Sequence, residues 1–119
     1  MRLWLDDERS PSERLPHIRW FRDRDLAELD EWIWVRTTQE AIALLAQDEV
    51  IECSLDHDLG NSDEVGDGYA VAVWIEERAA SDPQYVPPEC HTHSANVVGR
   101  ERLEQCIASI NRIVKTRRR

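Results

Sequence analysis

Acidic side chains stand directly after two apolar runs of the sequence, and their spacing is the first indication of chemistry. Asp6 and Asp7 follow the first run, and Asp56 and Asp58 follow a later one. Carboxylates that converge at short range either raise a pKa strongly or share a cation. Hard oxygen ligands suit Mg²⁺, which keeps several waters and so can meet a phosphate. We therefore predict that these aspartates bind a divalent metal, Mg²⁺ or Mn²⁺, used on a phosphate group. The alternative is that some of them cap helices or face solvent.

Histidines near the same positions are candidates for proton transfer. His57 lies between Asp56 and Asp58, where it acts as an acid or base or simply donates a hydrogen bond to a neighbouring carboxylate. His91 and His93 alternate along a predicted strand, so they share one face and form a two-histidine metal pair or a proton-transfer pair. We assign a catalytic role to His93, which is nearer the strand end. His91 is predicted to be a buried, hydrogen-bonded side chain.

A phosphate site is predicted where the last helix begins. Ser94 and Asn96 open that helix, whose first amide groups and dipole favour an anion. Arg100, one turn later, is available as a charge-assisted donor. Arg9, which follows the first acidic pair, is a further candidate for substrate binding. Gly99 either lets a ligand or backbone come close or is a tolerated helix glycine.

Strands and helices alternate along the chain, which is the pattern of an α/β fold. Predicted strands cover 2–5, 32–36, 50–55 and 89–93, and predicted helices cover 39–48, 68–80 and a last segment that starts near Asn96. Thr37 and Glu40 have the spacing of a capping box. We predict a small open parallel sheet of about four strands with flanking helices. The carboxyl ends of parallel strands share one edge of the sheet, where ligands bind.

Residues 11–31 carry the weakest pattern in the chain. We predict a loop that is followed by a helix over 23–31, with His17 on the surface. The three cysteines are odd in number and widely spaced, which argues against a disulfide framework or a zinc knuckle. We interpret all three as small buried hydrophobic side chains.

Length and charge limit the function classes. The chain has 119 residues, which fits one domain, and its formal net charge is −9. Such an acidic body repels nucleic acid unless a metal or a local basic patch intervenes. The apolar runs are far shorter than the roughly 20 residues that span a bilayer. No secretory signal pattern is present at the N-terminus, so we expect a cytoplasmic protein that does not contact membranes.

Several motifs together resemble a known family. The motifs are LWLDDER at 3–9, VRTTQEAIALL at 35–45, SLDHDLG at 54–60, GDGYAVAVWIEE at 66–77 and HSANVVGRERL at 93–103. The chain resembles the receiver-domain superfamily, and more closely its branch named the cyclic-phosphate-processing receiver domain. The resemblance implies a receiver-like, flavodoxin-like fold over one domain at 1–119.

The receiver resemblance implies roles for the aspartates. Asp6, Asp7 and Asp56 would bind Mg²⁺, with Asp7 and Asp56 as the likeliest ligands; Asp56 would also accept a phosphoryl group, and the carbonyl of Asp58 is a further possible ligand. Ordinary receivers also have a lysine at the end of a fifth strand. The only lysine here is Lys115, in the terminal helix, and no fifth strand is visible. Signalling through a phospho-aspartate is therefore disfavoured.

The closer branch implies a metal-dependent phosphoesterase. Its substrate would be a cyclic phosphate end, either of RNA during repair or processing or of a 2′,3′-cyclic nucleotide. That role would use His57, His93, Ser94 and Asn96 beside the metal. Two alternatives stay open: a phospho-acceptor response-regulator receiver, and a degenerate receiver that only binds a protein partner.

Overall fold

Four parallel strands form one sheet in the part of the chain that the structure describes. The computed structural model describes residues 1–57, 67–94 and 96–117. The strands are β1 (Arg2–Leu5), β2 (Trp32–Val35), β3 (Glu52–Leu55) and β4 (Glu89–Thr92). Their order is β2-β1-β3-β4, and all neighbours are parallel. The prediction of a parallel α/β sheet with flanking helices is confirmed.

Four α-helices accompany the sheet within the described ranges, and all four predicted strands end within one residue of their predicted ends. The helices are α1 (Pro11–Arg14), α2 (Thr38–Leu45), α3 (Gly68–Ser81) and α4 (Val97–Arg117). The predicted capping box is present, because Thr37 Oγ1 accepts a hydrogen bond from the amide of Glu40 at 3.1 Å. α2 ends three residues before its predicted end. Asp48 adopts a positive φ of 62°, which reverses the chain before β3.

The apolar face of the sheet carries the main core. Side chains alternate between the two faces of a strand, so Leu3, Leu5, Cys53 and Leu55 all point to this face. α2, α3 and α4 pack on it through buried apolar side chains, among them Ala41, Leu45, Val71, Ile75, Leu103 and Ile110. The opposite face is therefore left for the segment between β1 and β2.

Residues 11–31 cover that second face with a smaller core. Its buried side chains are Trp4, Leu15, Ile18, Phe21 and Trp32. The predicted helix over 23–31 is wrong, because the structure has a short 3₁₀ helix at Leu26–Glu31. None of its residues is buried, so no apolar stripe holds a longer α-helix. The predicted loop contains α1, which Ser10 caps and Pro11 begins.

A buried ion network fastens residues 11–31 to the sheet. Glu52, whose side chain is 4% exposed, accepts hydrogen bonds from Arg2 at 2.9 Å and from Arg24 at 2.7 and 2.9 Å. His91 Nε2 lies 2.7 Å from the same carboxylate, and its ring stacks on Trp20. His91 is thus hydrogen-bonded and largely buried, as predicted.

Burial raises the pKa of Glu52, but hydrogen bonds from Arg24, His91 and Arg2 outweigh it. The pKa consequently falls from an ordinary 4.5 to about 2. The carboxylate is therefore ionised at neutral pH.

The cysteines are free, and two of the three are buried as predicted. Cys53 and Cys106 are buried, whereas Cys90 is only half-buried because β4 lies at the edge of the sheet. Cys53 Sγ and Cys90 Sγ lie 3.5 Å apart. Among the described residues, no helix is long and apolar enough to cross a membrane. His17 is exposed, as predicted.

Candidate metal centre

Three metal-capable side chains meet at the carboxyl ends of neighbouring strands. Asp6 follows β1, Asp56 follows β3 and His93 follows β4, and the strand register places the three positions level with one another. One ligand atom from each residue lies within 4.8 Å of the other two. The connections from β1 and from β3 leave in opposite directions along the sheet. The cluster therefore lies at the switch point where ligands bind in open parallel sheets.

Asp6 is a buried carboxylate held by the turn after β1. Its Oδ1 accepts hydrogen bonds from the amides of Glu8 and Arg9 at 2.8 and 2.9 Å, while Oδ2 lies 3.2 Å from His93 Nε2. Burial raises the pKa of Asp6, but the hydrogen bonds from His93, Arg9 and Glu8 outweigh this effect and lower the pKa overall. Asp6 is therefore ionised, and only Oδ2 is directed at the cluster.

His93 supplies the nitrogen donor of the cluster, and its side chain is 1% exposed. Its ring stacks on Trp4, with centroids 3.6 Å apart and planes 9° from parallel. Nδ1 lies 2.7 Å from Ser54 Oγ. Burial lowers the pKa of His93 more strongly than the bond to Asp6 raises it. The ring is therefore neutral at neutral pH.

Two tryptophans fix the loop that carries Asp6. Trp4 Nε1 donates to the carbonyl of Arg9 at 2.8 Å, and Trp34 Nε1 donates to the carbonyl of Asp6 at 2.7 Å. Neither tryptophan, nor Ser54, was identified as a site residue from the sequence. The sequence did contain a signal for Trp4 and Ser54. Side chains alternate between the two faces of a strand, so these residues, two positions before Asp6 and Asp56, lie on the same sheet face as the two aspartates.

Close backbone approach fixes Asp56 and His57 against the starts of two helices. A Cβ on Gly68, at the start of α3, would overlap the carbonyl oxygen of Asp56. A Cβ on Gly99, in the first turn of α4, would overlap the ring of His57. Both glycines therefore provide space that any larger residue would fill. This supports the close-approach interpretation of Gly99.

The start of α4 is ordered by its own polar side chains. Asn96 Oδ1 accepts from the amide of Gly99 at 3.1 Å, and the buried Ser94 Oγ accepts from the amide of Asn96 at 3.2 Å. Asn96 is therefore the N-cap, as predicted. Arg100 and Arg9 are exposed on the surface. Arg100 lies 3.9 Å from Glu104 on its own helix.

The structure thus brings together some of the predicted metal ligands. Asp6 and Asp56 meet, and His93 joins them as a nitrogen donor. Asp7 is half-buried and is not part of this group of described residues. Asp58 lies outside the described residues. Two carboxylates and an imidazole form a donor set that fits a divalent metal ion.

A second group of potential donors is better explained by ion pairing. Glu52, Glu89 and His91 also lie within reach of one another. Both oxygens of Glu52, however, are bound by the guanidinium groups of Arg2 and Arg24. Arg2 and Arg24 already supply the positive charge that balances the carboxylates of this group, so the group does not need a metal ion.

Comparison with known proteins gives one match. A family model described as "Cyclic-phosphate processing Receiver domain" matches residues 1–109. No curated protein and no solved structure matches the chain.

Proposed function

The chain belongs to the cyclic-phosphate processing receiver domain family, and on that basis we propose that it is a metal-dependent phosphoesterase acting on cyclic phosphate ends. The substrate class is a 2′,3′-cyclic phosphate, on RNA or on a nucleotide. The observation that carries the proposal is the convergence of Asp6, Asp56 and His93 at the switch point of the sheet. A role in RNA repair or processing would follow from an RNA substrate.

The carboxylates are proposed to hold a divalent metal ion. Asp6 Oδ2 and Asp56 are the ligands that the geometry favours, and Asp7 and Asp58 remain candidates from the receiver pattern. When bound, Mg²⁺ or Mn²⁺ would neutralise the charge that develops on the phosphate. The buried, ionised state of Asp6 supports this role, because neighbouring carboxylates gain from a cation between them.

Proton transfer is assigned to the side chains beside Asp56. Opening a cyclic phosphate needs a base for the attacking water and an acid for the leaving ribose oxygen. We propose that Asp56 takes the proton of the water and that His57 gives one to the leaving oxygen. The ring of His93 is enclosed between Trp4 and Ser54, and both of its nitrogens are engaged, by Ser54 and by Asp6. His93 is therefore the weaker candidate for direct proton transfer.

Substrate binding is assigned to the start of α4 and to two exposed arginines. Ser94 and Asn96 order the first turn of a 21-residue helix, whose amide groups favour an anion. Arg9 and Arg100 are exposed and would supply charge-assisted donors to the phosphate. They also reduce the repulsion between an acidic protein and a nucleotide.

Removal of metal is the direct test of this function. We expect the chain to convert 2′,3′-cyclic AMP and cyclic-ended oligoribonucleotides into phosphomonoesters when Mg²⁺ or Mn²⁺ is present. EDTA should abolish the reaction, and excess metal should restore it, because the charge on the phosphate is otherwise uncompensated. Product formation is followed by ³¹P NMR and chromatography. Absence of turnover with every substrate and both metals would contradict the proposal.

Two alternatives give different results. If the chain is a phospho-acceptor receiver, incubation with acetyl phosphate should give a stable adduct on Asp56, which intact-mass measurement and peptide mapping would detect. If it is a degenerate receiver that only binds a protein partner, Mg²⁺ should leave tryptophan fluorescence unchanged. Trp4 is a sensitive reporter because its ring stacks on His93 beside the two carboxylates.

Gly99→Ala tests the assignment of His57. The added methyl group would overlap the His57 ring and displace it. A misplacement of about 1 Å can cost about a hundredfold in rate, so we expect a loss of that order in steady-state turnover. Val98→Ala, one residue earlier and on the surface, is the matched control and should keep full activity. If both variants are folded by circular dichroism and equally active, His57 is not the proton donor.

A further inference from the structure

The two hydrogen bonds of His93 define where its proton lies. An ionised carboxylate can only accept hydrogen bonds. Asp6 Oδ2 therefore accepts from Nε2–H of His93 across 3.2 Å. In a neutral imidazole the other nitrogen is then an acceptor. When the ring is neutral, Nδ1 consequently accepts from the hydroxyl of Ser54, whose Oγ lies 2.7 Å away.

Ser54 is suited to hold the opposite arrangement as well. A hydroxyl group both donates and accepts, so it stays bonded to Nδ1 whichever way the proton lies. If the proton moves from Nε2 to Nδ1, the charge of the ring is unchanged and Ser54 Oγ becomes the acceptor. Nε2 then carries a lone pair in place of its hydrogen atom. This lone pair points toward Asp6 and Asp56, as the N–H group does in the metal-free protein.

The orientation of the ring is fixed independently of any metal. Ser54 is fully buried in β3, and Trp4 is fully buried in β1. The stack on Trp4 sets the plane of the imidazole, and the bond to Ser54 sets its rotation within that plane. The ring edge that carries Nε2 is therefore directed at the two carboxylates. Outer groups of this kind commonly orient histidine ligands and set their tautomer.

We propose that His93 is a nitrogen ligand of the metal, oriented by Ser54, and that the site prefers a divalent transition-metal ion to Mg²⁺. Mg²⁺ favours oxygen donors and near-ideal octahedral geometry. An imidazole donor instead suits transition-metal ions such as Zn²⁺, Fe²⁺ and Ni²⁺, and Mn²⁺, the weakest-binding ion of that series, serves as its paramagnetic representative. This inference rests on the metal site of the proposed function and narrows the class of metal that it takes.

Binding of MnCl₂ and MgCl₂ to the full chain tests the proposal. We expect Mn²⁺ to bind at least about tenfold more tightly than Mg²⁺ in calorimetric titrations. Electron spin echo spectra of the Mn²⁺ form should show coupling to a directly bound ¹⁴N nucleus. This second measurement needs no variant, so it remains valid if a substitution prevents folding.

Variants assign the nitrogen to one residue and separate a ligand from a packing role. His93→Gln should remove the ¹⁴N coupling and the preference for Mn²⁺. His91→Gln, on the same strand and sheet face, should keep both. Ser54→Ala should weaken Mn²⁺ binding about tenfold to a hundredfold and leave Mg²⁺ binding nearly unchanged. Ser54→Thr, which retains the hydroxyl, should recover most of the loss.

The possible failures are distinguishable. Equal binding of the two metals without ¹⁴N coupling would overturn this inference and leave the metal site of the proposed function in place. Unchanged Mn²⁺ affinity in Ser54→Ala would remove the orienting role of Ser54. If neither metal binds, or if Asp56→Asn binds both as wild type does, the metal site of the proposed function fails as well.

Discussion

Asp56→Asn is expected to lower the rate of cyclic-phosphate opening by about a thousandfold or more. The substitution keeps the shape of the side chain, and with it the backbone contact between Asp56 and Gly68. It removes one of the two carboxylates that meet at the switch point, together with the proposed base for the attacking water. Steady-state rates on a 2′,3′-cyclic nucleotide, measured over a range of metal concentrations, check this expectation.

The thermal stability of the metal-free Asp56→Asn variant should stay the same or rise, although its activity falls. Without a metal, removing one of two neighbouring like charges relieves repulsion with Asp6. We therefore expect the thermal midpoint of the metal-free variant to equal or exceed that of wild type. A loss of activity together with an unchanged or higher midpoint separates a chemical role from a folding defect.

Asp67→Asn is the matched control for this substitution. Asp67 caps α3 through a hydrogen bond from the amide of Ala70, and asparagine caps helices about as well as aspartate. The control therefore makes the same carboxylate-to-amide change next to Gly68, which lies against the carbonyl of Asp56. It should keep wild-type activity. An Asp56→Asn variant that is as active as this control would sink the assignment of Asp56.

Glu52→Gln is expected to cost about 3 kcal/mol of unfolding free energy at neutral pH. Two guanidinium groups, from Arg2 and Arg24, and the ring of His91 converge on this buried carboxylate. An amide leaves that positive charge without its partner, and residues 11–31 lose their main polar attachment to the sheet. Urea unfolding at pH 7 measures the loss.

The same carboxylate sets how stability depends on pH. Its pKa is about 2 in the folded protein against an ordinary 4.5. A depressed folded pKa contributes stability that is complete above pH 4.5 and is lost as pH falls toward 2. Wild type should therefore lose about 3 kcal/mol across this interval through Glu52. Glu52→Gln should show a correspondingly flatter dependence in the same urea experiments.

Glu28→Gln is the control for the ion network. Glu28 also pairs with Arg24, but its side chain is 28% exposed and the pair joins positions four residues apart. Exposed pairs contribute about 1 kcal/mol or less. We expect a loss of that size and little change in the acid dependence. Equal losses in the two variants would show that burial of Glu52 is not what makes it stabilising.

Local patterns were sufficient to predict most of the fold. β1 is predicted at its exact bounds because a short apolar run ends abruptly at charged residues. The start of α2 follows from the capping box, whose hydrogen bonds join residues three positions apart. The switch-point position of Asp6 and Asp56 follows from topology, since parallel strands end at one edge. Each of these predictions requires only a few neighbouring residues or a general rule about how parallel strands are connected.

Residues 11–31 show where local patterns were insufficient. Their path depends on packing against Trp4 and Trp32, and on the pairing of Arg24 with Glu52 across 28 positions of the chain. A weak local pattern predicts a helix over 23–31, but no residue of the 3₁₀ helix found there is buried, so no apolar face stabilises an α-helix. Long-range contacts therefore determine the structure of residues 11–31, and the local sequence pattern does not.

The candidate site likewise has features that follow from the sequence and features that only the tertiary structure shows. The sequence alone determined that carboxylates and histidines stand at strand ends, because apolar runs and polar stops alternate along the chain. Only the tertiary structure decided that Asp6 meets Asp56 and His93, and that Ser54 and Trp4 hold His93 beside the carboxylates. These relations depend on strand register and on the turn after β1. Long-range packing fixes both, since a shift of one residue would turn every side chain to the other face.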